Sequence, residues 1–310
     1  MNKILFTGGG GAGNELIFRS LKNNYDLFFC DIFKDNIDPS IPTKRKETIP
    51  SPNSPKFIEK LNKICKKRAI DLLVPTVDEE LLEIEKVKTN ILLPDQKYIK
   101  KMIDKFNMVK AIETKGLEAP KVWKSSEINN IDKSFFPIIA KPRQGRGSRN
   151  VEIIRSRDHF KCYLEFYNLS EEEVFLEQFI DGFEYTVLMA ADQKNELRAI
   201  VPVKVLSKKG ITLRAFTDKE PKVIDFCNQL HSLFPTKGCY NVQLKLSSNG
   251  KPLPFEINPR ISTTFGLGLA SGVDPISIFL YGKDRTYNSK GIGDFKEGVS
   301  ITRHWHNHIK

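Results

Sequence analysis

The sequence predicts a mixed α/β protein, with an N-terminal lobe built like half of a doubly wound fold and α+β lobes after it. Three observations lead there. Strand-like apolar runs alternate with helical spacing over the first 94 residues. A glycine-rich loop at residues 8–13 separates the first strand from the first helix. From Phe136 onward the pattern changes to a series of strands, two of them joined at Asn249-Gly250.

The elements follow in order. Residues 3–7 form a short apolar run, a first strand rather than a secretory signal. Residues 14–23 carry Leu16, Ile17 and Leu21 at helical spacing, and 25–31 are a second strand. Residues 38–55 hold five prolines and read as an extended connection. A helix over 55–68 places Phe57, Ile58, Leu61 and Ile64 on one face; 72–75 is a third strand and 78–87 a further helix. This alternation implies a parallel sheet in a first lobe, residues 1–94. A central region, 95–178, opens with one helix over 97–115 that points Ile99, Met102, Ile103, Phe106 and Val109 inward and ends at Gly116. Strands are expected at 137–141, 151–154, 174–179, 185–190, 198–205, 240–246 and 253–258, with helices at 157–167 and 219–233. The third lobe spans 179–310, and its end, 298–305, is strand-like.

The chain has 310 residues, 40% hydrophobic and 28% charged, enough for two or three lobes with a large core. No run of 18 apolar residues predicts a membrane span. Cys30, Cys65, Cys162, Cys227 and Cys239 form no Cys-x-x-Cys pair, so reduced thiols in a cytoplasmic protein without structural zinc are expected. The net charge is +11, but the lysines are scattered, and Lys66-Lys67-Arg68 and Lys100-Lys101 fall on expected helices. That argues against nucleic acid and for a field that attracts anionic substrates. A homodimer is compatible with the sequence.

The stretch from Asn241 to Arg260 is the most informative. Asn249-Gly250 tolerates positive φ and suits a two-residue hairpin turn. With that turn, Leu246 opposes Leu253, Leu244 opposes Phe255 and Val242 opposes Ile257 on an apolar face. The other face sets Gln243 opposite Glu256 and Asn241 opposite Asn258. One carboxylate and several amide oxygens then converge, the hard ligands that Mg²⁺ takes alongside phosphate oxygens. Arg260 continues that face and suits a transferring phosphoryl group. The same pattern is also that of a solvated face on an ordinary hairpin.

Phe255-Glu256-Ile257-Asn258-Pro259-Arg260, with Gln243 on the preceding strand, resembles the metal-binding hairpin of ATP-grasp enzymes, and most of all the carbamoyl-phosphate-synthetase large-chain branch. Further motifs match in the family's order, over about residues 93–273. The resemblance implies that Lys105 reaches the ATP phosphates. It implies the same for Lys141 of Ile139-Ala140-Lys141-Pro142 and for the loop Gly145-Arg146-Gly147-Ser148. Glu177, Gln178, Phe179 and Ile180 then border adenine, and Glu184 holds the ribose. Gln243, Glu256 and Asn258 hold two Mg²⁺ ions, with Mn²⁺ able to replace them. Arg260 and Lys141 act on the transferred phosphate. Residues 204–217 match poorly; Arg214 there is a candidate for a phosphate or a carboxylate, or for a structural salt bridge. One copy of the unit and no glutamine-hydrolysing segment resemble the stand-alone amine–carboxylate ligases. The implied reaction forms an amide through an acylphosphate, from small carboxylate and amine substrates.

Gly8, Gly10 and Gly13 also satisfy G-x-G-x-x-G, and Asp31 ends the second strand, the fingerprint of an NAD-dependent oxidoreductase. The family resemblance implies instead that this loop faces the second substrate, with Gly10, Gly11, Thr76, Asp78 and Glu79 as candidate contacts. Thr76 and Asp78 equally suit a helix cap. A non-catalytic ATP-binding protein is a third reading. The small-residue loop 262–272 is a candidate lining of the acceptor pocket, or a helix entry. His304, His306 and His308 alternate, either as a metal site or as an exposed strand face.

Overall fold

The computed structural model describes residues 1–145, 147–282 and 292–304. Its first sheet contains β1 (Lys3–Phe6), β2 (Asp26–Asp31), β3 (Lys46–Thr48), β4 (Leu72–Val74) and β5 (Asn90–Ile91). They run parallel in the order β3-β2-β1-β4-β5. β1 is central, and its Ile4, Leu5 and Phe6 are fully buried, as a parallel strand covered on both faces requires. Helix α1 (Asn14–Leu21) covers one face with Ile17 and Leu21; α2 (Phe57–Arg68) covers the other with Phe57, Leu61 and Ile64.

Two expectations for this lobe are corrected. The proline-rich stretch 38–55 contains the edge strand β3. Residues 78–87 form no α-helix, only single 3-10 turns at Asp78–Glu80 and Ile84–Lys86. The Glu80 carboxylate accepts from the backbone N–H groups of Thr76 and Val77, which holds the chain in a tight turn after β4.

The helix expected over 97–115 is likewise two, α3 (Gln96–Met102) and α4 (Lys105–Thr114). Asp104 sits at the break. It caps α4 by accepting from Asn107 N and pairs with Arg143, both at 2.9 Å. Lys105 thereby opens a helix instead of lying inside one. The small lobe follows, with β6 (Val122–Lys124), β7 (Ile138–Pro142), β8 (Glu152–Ile154), α5 (Arg157–Tyr167) and β9 (Val174–Gln178). Its antiparallel sheet runs β6-β9-β7-β8 over a core of Ile138, Ile154, Phe160, Tyr163 and Leu176.

The last lobe is a six-stranded sheet of β10 (Gly182–Ala191), β11 (Leu197–Lys209), β12 (Ile211–Thr217), β13 (Gly238–Ser247), β14 (Pro252–Asn258) and β15 (Ser300–Thr302). Helix α6 (Pro221–Leu233) lies between β12 and β13; α7 (Phe265–Ala270) and α8 (Pro275–Tyr281) follow β14. The strand order is β14-β13-β10-β11-β12-β15. One face packs on α3, α4 and α6. The other shares a single core with the first lobe, where Phe6, Ile17 and Phe29 join Leu188, Phe265 and Ile276. The poorly matching residues 204–217 are the distal half of the β11–β12 hairpin, which turns at Gly210 with φ +70°. Among the described residues no helix is long and apolar enough to cross a membrane.

The β13–β14 hairpin keeps the expected pairs Gln243–Glu256, Val242–Ile257 and Asn241–Asn258, but by a different route. Its turn has three residues, Ser248 to Gly250, with Gly250 at φ +77° and Ser247 N bonded to Lys251 O. Pairing therefore starts one residue out of the expected register, Leu246 against Pro252 and Leu244 against Pro254. A bulge at Phe255 then restores it. Phe255 consequently leaves the apolar face on which it was expected.

Gly238 marks where the lobes meet. Its φ is +87°, and a Cβ there would lie 2.5 Å from the Leu93 carbonyl carbon. Gly238→Ala is expected to lower the unfolding free energy by about 3 kcal/mol, from strain and backbone clash together. Urea unfolding of both proteins checks this.

Candidate nucleotide and acceptor clefts

Two cavities meet on the floor of the six-stranded sheet. The smaller, ≈ 390 Å³, lies between that sheet and the small lobe; the larger, ≈ 910 Å³, lies between the sheet and the first lobe. Ser148, Arg149, Glu184, Lys208, Gln243 and Glu256 line both, so they form one continuous cleft.

The smaller cavity is a slot with apolar walls from Ile139, Ile153, Phe179 and Phe255. Lys141 projects into it from β7, almost fully buried, with Nζ 2.8 Å from Glu177 Oε1 and 3.2 Å from the carbonyl oxygen of Phe255, the bulged residue. The ammonium also lies over the Phe175 and Phe255 rings. Burial pushes the Glu177 carboxyl upward and Lys141 opposes that. Glu177 Oε2 is buried in the slot wall with no hydrogen-bond partner. Gln178 and Ile180 line the slot beside Phe179. At the far end Lys105 Nζ lies 3.2 Å from Glu256 Oε1 and donates to Gly145 O at 2.7 Å. Gly145, Gly147 and Ser148 have φ of +120°, +72° and +55°. A Cβ at either glycine would meet nothing, so glycine serves the backbone angle there and not close packing. Arg146 lies outside the described residues. Glu184 pairs with Lys208 at 2.6 Å.

Gln243 and Glu256 face the cleft from adjacent strands, and Asn258 lines the larger cavity beside them. One carboxylate and two carboxamides are an all-oxygen set that fits Mg²⁺ or Mn²⁺. Among the described residues no cluster of three or more His, Cys, Asp or Glu side chains could hold a metal. With a single carboxylate, this set depends on phosphate oxygens to complete a coordination shell. Asn241 is otherwise engaged: Nδ2 donates to Arg260 O at 2.7 Å and Oδ1 accepts from Ser262 Oγ at 3.0 Å. The Arg260 guanidinium donates to both Asp78 oxygens, at 2.6 and 3.0 Å, and to Asn258 Oδ1 at 3.4 Å. The pairing of Asp78 with Arg260 ties the first lobe to the β13–β14 hairpin.

Gly10, Gly11 and Thr76 line the larger cavity with the loop 262–264. Asp31 Oδ2 accepts from Gly10 N at 2.9 Å, so this carboxylate closes its own glycine loop. Glu79 is exposed and lines neither cavity. Arg214 is exposed on β12, across from Thr302, and also lines neither. His304 is exposed; His306 and His308 lie outside the described residues.

Sequence reasoning missed three cleft residues, Lys208, Arg149 and Glu80, and one that braces the cleft from behind, Arg303. Lys208 fell in the poorly matching stretch, and Arg149 lay just past the glycine motif. Arg303 donates to the carbonyls of Ala12, Thr263 and Thr212 at 2.6, 2.5 and 2.9 Å, joining the two loops of the larger cavity. Glu80 is the buried acid of the Asp78-Glu79-Glu80 run, 1% exposed, and lines the larger cavity. Burial pushes its carboxyl up to about 7 against the hydrogen bonds it accepts. A helix over 78–87 would not single out which acid turns inward.

Residues 170–304 match a family model described as ATP-grasp in the biosynthetic pathway with Ter operon. The D-alanine–D-alanine ligase of Petrotoga mobilis is 34% identical over 101 residues, 32% of this chain and 30% of the ligase. That of Bacillus anthracis is 32% identical over 89 residues, 27% of this chain and 29% of the ligase. The chain thus spans under a third of these relatives' length. The biotin carboxylase domain of Hydrogenobacter thermophilus 2-oxoglutarate carboxylase, solved with MgADP, ADP and bicarbonate, superposes with TM-score 0.69 at 14% identity, over 96% of this chain and 73% of that one. N5-carboxyaminoimidazole synthase from Aspergillus clavatus, solved with ADP and 5-aminoimidazole ribonucleotide, gives 0.66 at 16%, over 87% and 73%. These likenesses lend no support to the dinucleotide reading.

Glu80 makes stability depend on pH. Its folded value lies above the ordinary 4.5, so the stability it contributes is complete below 4.5 and is lost as pH rises through about 7. Thermal unfolding between pH 5 and 8 is expected to show that fall, and Glu80→Gln to flatten it.

Proposed function

We infer from the ATP-grasp fold of this chain that it is an ATP-dependent carboxylate–amine ligase. The observation that carries this is the continuity of the two cavities across Gln243 and Glu256. A triphosphate in the slot would end where the acceptor cavity begins.

In this reading adenine lies between the apolar walls of the slot. The orphaned Oε2 of Glu177 accepts from its exocyclic amine, and the backbone at 178–180 borders its edge. Lys105 and Lys141 bind phosphate oxygens, covered by the loop 145–148, and Glu184 takes the ribose hydroxyls. Gln243, Glu256 and Asn258 would hold Mg²⁺, two ions in this reading, which would supply neutralisation of phosphate charge. An acceptor carboxylate attacks the γ-phosphorus, the bond to ADP breaks, and an acylphosphate forms. The amine then attacks the acyl carbon, the C–N bond forms and phosphate leaves. Arg260, fixed by Asp78, stays beside the phosphate through both steps. Closure of the glycine loop keeps water from the acylphosphate. The likeness to D-alanine–D-alanine ligases supports small carboxylates and amines as substrates. All five cysteines are free thiols, which supports a cytoplasmic setting.

ATP with Mg²⁺ at 100 times its Kd should add about 2.7 kcal/mol to stability and raise Tm, while NAD(H) should not. A rise with NAD(H) alone would revive the oxidoreductase reading. ADP release across a panel of amino acids and amines tests the chemistry itself. Glu256→Ala is expected to abolish it, and full activity in that variant would remove Glu256 from the metal site.

A further inference from the structure

Among the acids in and beside the cleft, Glu80 combines full burial with the lack of a cation. Asp31 also lines the larger cavity without a cation pair among the described residues, but it is only half-buried. Glu177, Glu184, Glu256 and Asp78 each face a cation: Lys141, Lys208, Lys105 and Arg260. Glu80 is more deeply buried than any of them, yet no cation pairs with it among the described residues. Its Oε1 accepts from Thr7 Oγ1, from Thr76 N at 3.0 Å and from Val77 N at 3.1 Å. The hydrogen bonds it receives from the described residues all go to Oε1 and none to Oε2, and the residue lines the larger cavity. Glu79 and Cys30 lie within electrostatic reach of it, and neither is cationic.

A brace between β1 and the turn after β4 needs only an acceptor oxygen, which a glutamine amide also has. A buried carboxylate costs several kcal/mol unless a positive charge compensates it. The cavity is the side from which such a charge can come.

We propose that Glu80 seats the ammonium group of the amine substrate and takes its proton before attack. This rests on the ligase reading. An amine arrives at neutral pH as R–NH₃⁺, with no lone pair for the acyl carbon. One proton passes to Glu80 Oε2, leaving R–NH₂ and a neutral carboxylic acid. The lone pair forms the C–N bond as the bond from the acyl carbon to the phosphate oxygen breaks. The second proton leaves on phosphate. A carboxyl raised toward neutrality by burial suits that exchange.

The test uses the full chain labelled with ¹³C at glutamate Cδ, with Mg²⁺ and a non-hydrolysable ATP analogue, at pH 8. The Glu80 resonance is identified by its absence in Glu80→Gln, whose amide oxygen still accepts from Thr7, Thr76 and Val77; Glu80→Asp serves if that variant does not fold. Methylammonium chloride is titrated against potassium chloride at equal ionic strength. A saturable shift of the Glu80 resonance with methylammonium alone is expected. An equal response to both salts makes Glu80 a brace only and overturns the proposal. Failure of the ATP analogue to raise Tm in the same samples overturns the ligase reading instead. In the ADP-release assay, Glu80→Gln should lower kcat with an alkylamine about 100-fold. It should keep near wild-type turnover with hydroxylamine, which is already uncharged at neutral pH. Equal losses with both amines would also overturn the proposal.

Discussion

The site depends on the pairing of Gln243 with Glu256 across β13 and β14. Side chains alternate along a strand, so a slip of one residue sends every one of them to the opposite face. The three-residue turn at 248–250 introduces such a slip. Had it persisted, Glu256 would lie against Val242 in the core. The bulge at Phe255 removes it, and Glu256 and Asn258 reach the cleft. The same bulge presents the Phe255 carbonyl to Lys141. One irregular residue thus aims Glu256 and Asn258 into the cleft and joins the small lobe to the hairpin.

Electrostatics then define the rest of the cleft. Four carboxylates are neutralised by four cations, and each partner comes from a different element. Lys105 enters from the start of α4, Lys141 from β7 and Lys208 from the β11–β12 hairpin, while Asp78 of the first lobe holds Arg260. Such pairs hold when both members are fixed and desolvated together. In the proposed ligase, Lys105 and Lys141 would pass from carboxylate to phosphate without an uncompensated charge. Glu80 stands outside this balance while fully buried, unlike the half-buried Asp31 of the glycine loop.

The distribution of cores matches that division of labour. The first lobe and the six-stranded sheet share one apolar core, which fixes the larger cavity between them. The small lobe has a core of its own, with Val122 and Phe175 reaching toward α4. The break at Asp104 connects the two halves, since it caps α4, pairs with Arg143 and leaves Lys105 facing the slot.

Much of this was legible in the sequence because it is local. Strand alternation placed Gln243, Glu256 and Asn258 on one face, helical spacing located α2, α5 and α6, and the lysine and glycine motifs fall together on the walls of the smaller cavity. Even the hairpin pairing came out correctly, though two one-residue differences had to cancel. What only the tertiary structure decided involves partners far apart in the chain. Arg260 meets Asp78 across 182 positions and Lys141 meets Phe255 across 114. The inward turn of Glu80, the cleft position of Lys208 and the outward face of Arg214 belong with them. Periodicity reports which face of its own element a residue occupies. Which charges that face will meet depends on how the lobes pack, and packing is set by the summed burial of all four core clusters and not by any one segment.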